Sequence, residues 1–271
     1  MRCLVIVLFA SLLCACGDSK REAIGRTEVL IETSEGDIVV RLYDDTPQHR
    51  DNFVSNIREG LYDGILFNRI VPDMVIQAGD TSLRADAPKF ASEKTQDTRT
   101  LPAEIIYPRH FHKQGALAAA REPDSINPGR ASSALQWYIV TGKKQSAAEL
   151  AELQALLYEG KVAALFERLQ REHADELARL KATDHEAQQE LLNRLQVEAE
   201  ETMAQHPPKP FTEIQKMIYA QQGGAPHLDG EYTVFGEVVE GIPVALRIGR
   251  TPVDAKERPR RAIVIKRVMV R

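Results

Sequence analysis

The body of this chain lacks cysteine. The sequence has 271 residues and three cysteines, Cys3, Cys14 and Cys16, all within the first sixteen positions. Residues 17–271 therefore offer no disulfide framework, no thiolate zinc site and no thiol nucleophile. The chain also lacks a run of about 20 apolar residues, which a membrane-spanning helix needs. It has no Gly-X-Y repeat either, so polytopic membrane proteins and collagen-like proteins are excluded.

Strong charge of one sign is missing as well. The net charge is −4, with 43% hydrophobic and 27% charged residues, as is typical of a soluble globular protein. We therefore expect no nucleic-acid partner. The sequence contains no P-loop, no dinucleotide fingerprint and no G-x-S-x-G elbow. His110 and His112 have the spacing of a metal pair, but no cysteine or carboxylate pair lies nearby in the sequence, so we expect no metal.

The N-terminal segment indicates export. Arg2 precedes an apolar run over residues 4–13 that is too short to span a membrane. The sequence Leu13-Cys14-Ala15-Cys16 resembles the lipobox of bacterial lipoproteins. That resemblance implies a signal peptide over 1–15, lipidation of Cys16 and a tether over 16–26, with the body exported and held at a bacterial membrane, in the periplasm. The alternative is an ordinary secretory signal that leaves Cys16 as a free thiol.

Short strands separated by turn signals dominate the body. Alternating apolar residues predict a hairpin over 27–43 and strands over 65–71, 74–78, 115–120, 135–141, 233–239 and 262–270. A helix is predicted to begin near Pro47 and to end before Gly60. This pattern is typical of a barrel or a sandwich.

Residues 143–212 have a different composition and predict a helical insertion. They contain one glycine, Gly160, and no proline before Pro207. Capping boxes are predicted at Ser146 and Thr183, each followed by a glutamate three residues later. Three narrow apolar stripes follow at helical spacing, the third led by Leu192. The stripes must pack on one another, on the body or on another chain, so self-association is one possibility.

Five motifs of the body, in order, resemble those of cyclophilin-type peptidyl-prolyl cis-trans isomerases. The main motif is GLYDGILFNRIVPDMVIQAGD over 60–80, and the others include GALA at 115–118, QWYI at 136–139 and HLDG at 227–230. The resemblance covers roughly 27–142 and 219–271, and the two parts of the body are assigned to 27–142 and 213–271. It implies a mainly β fold with an α insertion: a closed antiparallel eight-stranded barrel capped by two helices, the second over 243–248.

The implied reaction needs no cofactor. Rotation about the bond before proline has a barrier of about 18–20 kcal/mol because that bond has partial double-bond character. No bond is broken, so neither a nucleophile nor a metal is required. An apolar pocket for the proline ring and a fixed donor facing the imide nitrogen would accelerate the rotation. By resemblance, Arg69 is that donor, and a guanidinium suits the role because it stays charged.

The resemblance also implies the residues that bind substrate, which would be proline-containing, unfolded or partly folded polypeptides. These residues are Met74, Val75, Gln77, Ala120, Arg121, Gln136, Tyr138, His227, Leu228 and Tyr232. Met74 and Tyr138 stand where the family usually has phenylalanine, and His227 stands in place of a tryptophan associated with cyclosporin binding. We expect a prolyl isomerase with poor cyclosporin sensitivity and reduced activity. The alternative is a proline-segment-binding chaperone with little catalysis.

Overall fold

A computed structural model describes residues 27–85 and 98–271 of the chain. The predicted signal peptide, the lipidated Cys16 and the tether lie outside the described residues. The described residues contain ten strands: β1 (Glu28–Thr33), β2 (Gly36–Leu42), β3 (Arg69–Val71), β4 (Val75–Ala78), β5 (Thr100–Leu101), β6 (Ala116–Ala119), β7 (Ser132–Ser133), β8 (Trp137–Val140), β9 (Val234–Glu240) and β10 (Ile265–Val270).

Eight strands form one antiparallel sheet, in the order β10-β1-β2-β9-β6-β8-β4-β3, and β5 pairs with β7 separately. The predicted closed barrel is wrong, because the sheet is an open half-barrel with β3 and β10 as its edges. An isolated bridge between Leu66 and Val264 crosses the opening. The short strand β3 does not form a ladder with β10. The Ile70 amide donates instead to the Glu257 carbonyl in a neighbouring loop, at 2.8 Å.

The central strands are buried on both faces of the sheet, and successive side chains enter apolar clusters on opposite faces. In β8, Trp137 and Ile139 belong to the main core, whereas Tyr138 and Val140 belong to a second apolar cluster on the opposite face. A period of two along a strand produces this division. The two buried faces explain why these strands read as nearly continuous apolar runs. The second cluster forms the wall of the candidate site.

Two helices cover the sheet: α1 (Pro47–Arg58) contacts β10, and α6 (Ile242–Gly249) contacts β2 and β4. The predicted stop of α1 is confirmed, since Gly60 follows the C-cap with φ of 68°. Glu104 accepts hydrogen bonds from the amides of Gln48 and His49, at 3.1 and 3.0 Å, and so caps the first turn of α1 from a distant segment.

The predicted insertion contains three helices, α2 (Ala147–Glu172), α3 (Ala174–Thr183) and α4 (His185–Gln205), and α5 (Glu213–Gln221) follows them. The capping box at Ser146 is confirmed. The one at Thr183 is wrong: Thr183 ends α3, its hydroxyl donates to a carbonyl in the preceding turn, and Asp184 caps α4. Leu191, not Leu192, is buried in the seam between the helices. No helix in the described parts of the chain is long and apolar enough to cross a membrane.

Candidate active site

Three neighbouring strands place the predicted site residues in one row across the sheet. Arg69 on β3 is paired in register with Gln77 on β4, and Gln77 is paired with Tyr138 on β8. Residues directly opposite one another in adjacent strands project from the same face. The strand register therefore brings an arginine, a glutamine and an aromatic residue side by side from positions far apart in the sequence.

Polar contacts continue this row along its rim. Arg69 Nη1 lies 3.5 Å from Gln77 Oε1, and Gln77 Nε2 donates to Gln136 Oε1 at 2.7 Å. Gly79 makes the approach of Gln136 possible, since it has φ of +104° and a Cβ there would collide with the Leu135 carbonyl oxygen. Arg69, Gln77 and Gln136 thus form a connected polar chain, which presents donors from a fixed backbone.

Beside this chain lies a cavity of about 510 Å³. Every predicted catalytic or substrate-binding residue except His227 lines it: Arg69, Met74, Val75, Gln77, Ala120, Arg121, Gln136, Tyr138, Leu228 and Tyr232. The lining thus combines the polar chain with apolar side chains that pack in one cluster, such as Met74, Val75 and Leu228. This arrangement suits an extended polypeptide carrying a small apolar ring. His227 is exposed and lies outside this lining, so its binding role stays a prediction.

The hydroxyl of Tyr138 has a buried partner. Tyr138 is 4% exposed, and its oxygen lies 3.0 Å from Nε2 of the fully buried His112. His112 Nδ1 lies 3.1 Å from Oδ1 of Asp229, whose other oxygen accepts from the Tyr219 hydroxyl at 2.8 Å. Burial raises the pKa of Tyr138 well above its ordinary value, so the phenol stays neutral. This network holds the cavity wall and connects it to Tyr219 on α5.

Arg121 lies at the rim of the cavity, and its guanidinium is engaged by neighbouring residues of the protein. Its guanidinium carbon lies 4.6 Å from the centre of the Tyr232 ring, and its Nε donates to the Glu231 carbonyl at 2.8 Å. The Glu231 carboxylate also accepts from Arg130 at 2.7 Å and from Lys161 of α2 at 3.1 Å. The Lys161–Glu231 ion pair therefore links the predicted insertion to the segment that carries Tyr232 at the rim of the cavity.

The comparisons with known proteins agree with this geometry. The family model "Cyclophilin type peptidyl-prolyl cis-trans isomerase/CLD" matches residues 28–270, which is most of the chain. The chain belongs to the cyclophilin-type peptidyl-prolyl cis-trans isomerases. This cyclophilin is therefore a prolyl isomerase, as its motifs predicted.

Similar proteins are found in staphylococci and in a protozoan parasite. Two provisionally named peptidyl-prolyl cis-trans isomerases, from Staphylococcus epidermidis and Staphylococcus haemolyticus, are each 25% identical to the chain over 245 residues, covering 90% of it and 91% and 90% of their own lengths. The crystal structure of a Cryptosporidium parvum cyclophilin-type isomerase matches with a TM-score of 0.52 at 17% identity, covering 90% of this chain and 97% of that one. At that identity the likeness shows the shared fold.

Sequence reasoning missed two features of this site. His112 and Asp229 form the buried support of Tyr138. In the sequence, His112 was considered only as one half of a metal-like pair with His110, and Asp229 was not considered. Glu257 bonds Arg69 from 188 residues away, and no motif surrounds it. The one available signal for the first feature was the tyrosine itself, because a buried hydroxyl requires a partner.

Proposed function

We propose that Arg69 is the catalytic donor of this cyclophilin and that the apolar side of the cavity holds the proline ring. The observation that carries the proposal is the Arg69–Gln77–Gln136 polar chain at the rim of an apolar cavity. As the imide twists, its nitrogen lone pair becomes available to a donor. A preorganised guanidinium then stabilises the twisted state more than the planar one, and that difference accelerates rotation. Gln77 and Gln136 would bind the backbone of the substrate.

A proline-peptide isomerisation assay on the full chain tests this role. Arg69→Ala should lower kcat/KM about 10²- to 10³-fold, as loss of a single preorganised donor does elsewhere. Arg267→Ala is the matched control, because Arg267 is an exposed strand arginine outside the cavity lining. Equal rates for Arg69→Ala and the wild type would favour a proline-binding module with little catalysis, which the methionine and tyrosine in the pocket also favour.

We propose that the enzyme acts on exported proteins while tethered to a bacterial membrane through lipid on Cys16. The lipobox-like sequence at 13–16 supports the tether. Uncatalysed prolyl exchange takes tens of seconds, slow enough to limit folding. Cys16→Ser should move the protein out of the membrane fraction, whereas Cys14→Ser should not. Equal membrane association of both variants would contradict lipidation.

A groove on the predicted insertion supports a second, chaperone-like function. It lies between α2 and α4, has a volume of about 680 Å³, and combines an apolar floor that includes Val162 and Phe166 with the glutamates Glu159, Glu200 and Glu201. Among residues 27–85 and 98–271, no basic side chain lines it. We propose that it holds unfolded client segments in which apolar residues are flanked by lysine or arginine, because charge complementarity selects such segments.

Charge reversal in the groove tests this second function. Glu159→Lys with Glu200→Lys should abolish suppression of aggregation of a basic unfolded protein and leave proline-peptide isomerisation unchanged. Glu190→Lys is the control, because Glu190 is exposed on α4 away from the groove. Unchanged suppression would contradict client binding there. Should the wild type sediment as a dimer and the double variant as a monomer, the groove would instead mediate self-association.

A further inference from the structure

Arg69 has an ionic partner outside the strands that carry the site. Its Nε donates to Oε2 of Glu257 at 2.6 Å, and its Nη1 faces Gln77 at 3.5 Å. No hydrogen-bond partner of Nη2 is found among residues 27–85 and 98–271. Both side chains of the pair are about 40% exposed, at 43% for Arg69 and 39% for Glu257. An ion pair that exposed adds little to folding stability, so stability does not explain it.

The backbone around Glu257 holds its carboxylate in place. The Glu257 amide donates to the Asp254 carbonyl at 3.0 Å, and its carbonyl accepts from the Ile70 amide at 2.8 Å. The Asp254 carboxylate accepts from the amides of Lys256 and Arg258, at 2.8 and 2.9 Å. The loop is thus closed on itself and bonded to β3, the strand that carries Arg69.

Glu257 also occupies an unfavourable backbone conformation. Its φ is 60°, in the left-handed region, where glycine is the residue without a steric penalty. A glutamate at that position, with its carboxylate directed at Nε of Arg69, indicates that the side chain has a use that offsets the strain.

We propose that Glu257 is a positioning residue that fixes the guanidinium plane of Arg69. This inference rests on the proposed role of Arg69 as the donor. An arginine side chain in contact with water samples many rotamers, and only some present a donor to a bound imide. With Nε bound to Glu257 and Nη1 directed at Gln77, the planar fork has one remaining orientation, with Nη2 available to the substrate. Preorganisation of this kind acts on the transition state, so it should affect kcat more than KM.

The variant Glu257→Gly separates positioning from folding. It removes the carboxylate and relieves the backbone strain, so the thermal midpoint should be equal to or above that of the wild type. In the full chain, kcat for a proline peptide should fall about 10- to 100-fold, with KM nearly unchanged. Lys256→Ala, an exposed change in the same loop, should leave kcat as it is. Glu257→Gln should retain most of kcat, because its amide oxygen can still accept from Nε.

The double variant decides whether Glu257 acts through Arg69. Adding Glu257→Gly to Arg69→Ala should cause no further loss, since residues that act as a unit are not additive. Wild-type kcat in Glu257→Gly, or an additional loss on top of Arg69→Ala, overturns the positioning role and leaves the arginine as donor. Wild-type kcat in Arg69→Ala would overturn both. If Glu257→Gly fails to fold, Glu257→Asp takes its place. Its carboxylate is one methylene short of Arg69 Nε, so kcat should fall, and wild-type kcat in Glu257→Asp overturns the proposal.

Discussion

The sheet and the helices of the predicted insertion bury their apolar residues in different ways. The central strands are covered on both faces, and their largest side chains, such as Trp137 and Ile139, are almost fully buried. The helices α2 and α4 instead meet along one seam, in which Val162, Leu169 and Leu195 are buried. Each fully buried side chain of this size contributes about 1.5–3 kcal/mol. The sheet therefore has by far the larger reserve of stability.

The helices of the predicted insertion also contact the rest of the molecule differently from the strands that carry the site. Leu150 at the start of α2 packs with Phe211 and Tyr219, and Lys161 pairs with Glu231 at the cavity rim. Arg69, Gln77 and Tyr138, by contrast, belong to paired strands. A site that needs fixed geometry thus lies on paired strands, and we expect the seam between α2 and α4 to loosen without moving it.

The largest expected effect is in the sheet. Ile139→Ala should lower the free energy of unfolding by about 2–5 kcal/mol, because it leaves a cavity in a fully buried position. Isomerase activity should be lost at the same denaturant concentration as the sheet signal. Ile126→Ala is the control, since Ile126 is 72% exposed. A similar midpoint for the two variants in chemical denaturation would contradict the described core.

The second effect is in the helical seam. Leu195→Ala should destabilise α2 and α4 locally, by up to about 2–5 kcal/mol, while isomerisation of a short proline peptide continues. Hydrogen exchange should therefore increase in these helices and not in the central strands. Leu156→Ala, at a position 58% exposed on α2, should change neither. If activity and helical protection disappear together in Leu195→Ala, the two regions are one cooperative unit.

A smaller effect concerns the distant cap of α1. Burial raises the pKa of Glu104, but hydrogen bonds from the His49 ring and from the amides of His49 and Gln48 outweigh it, so the net pKa is lowered. Its carboxylate therefore stabilises the fold above its ordinary pKa of 4.5, and that contribution is lost as pH falls below this value.

Glu104→Gln should lower the free energy of unfolding by about 1–3 kcal/mol at pH 7, since it weakens an acceptor for three donors whose side chain is only 11% exposed. The difference from the wild type should shrink as the pH falls through 4.5 towards 3. Urea unfolding at each pH measures it, with the exposed Glu190→Gln as the control. A constant difference across this range would mean that the charge of Glu104 does not matter.

The smallest expected effect is a gain. Gly160 lies in the middle of α2, where a Cβ would meet no atom within 4 Å. Gly160→Ala should therefore stabilise the helix by about 0.5–1 kcal/mol, because alanine loses less backbone freedom. Exchange should slow in α2 alone. The exposed Ala155→Gly is the reciprocal test and should speed exchange there. If exchange changes in neither variant, the stability of α2 depends on packing and not on the helix propensity of these positions.

Much of the fold was readable from local patterns. The hairpin over 27–43, the helix between Pro47 and Gly60 and the capping box at Ser146 each depend on residues within a few positions of one another. The errors came where local signals competed. At Thr183 a threonine and an aspartate could both cap the next helix, and the aspartate does so. The prediction of a closed barrel was wrong because β3 donates a hydrogen bond to the loop at Glu257 and forms no ladder with β10.

Short motifs encode the family, the order of the eight main strands along the chain and the residue types around the pocket, so these could be predicted before the structure. The open sheet, the support of Tyr138 by His112 and Asp229, and the bond between Glu257 and Arg69 appear only in the folded chain. These contacts join residues up to 188 positions apart. No local propensity encodes such a pairing, since it exists only after the strands have fixed the register and burial has left each polar group to find a partner.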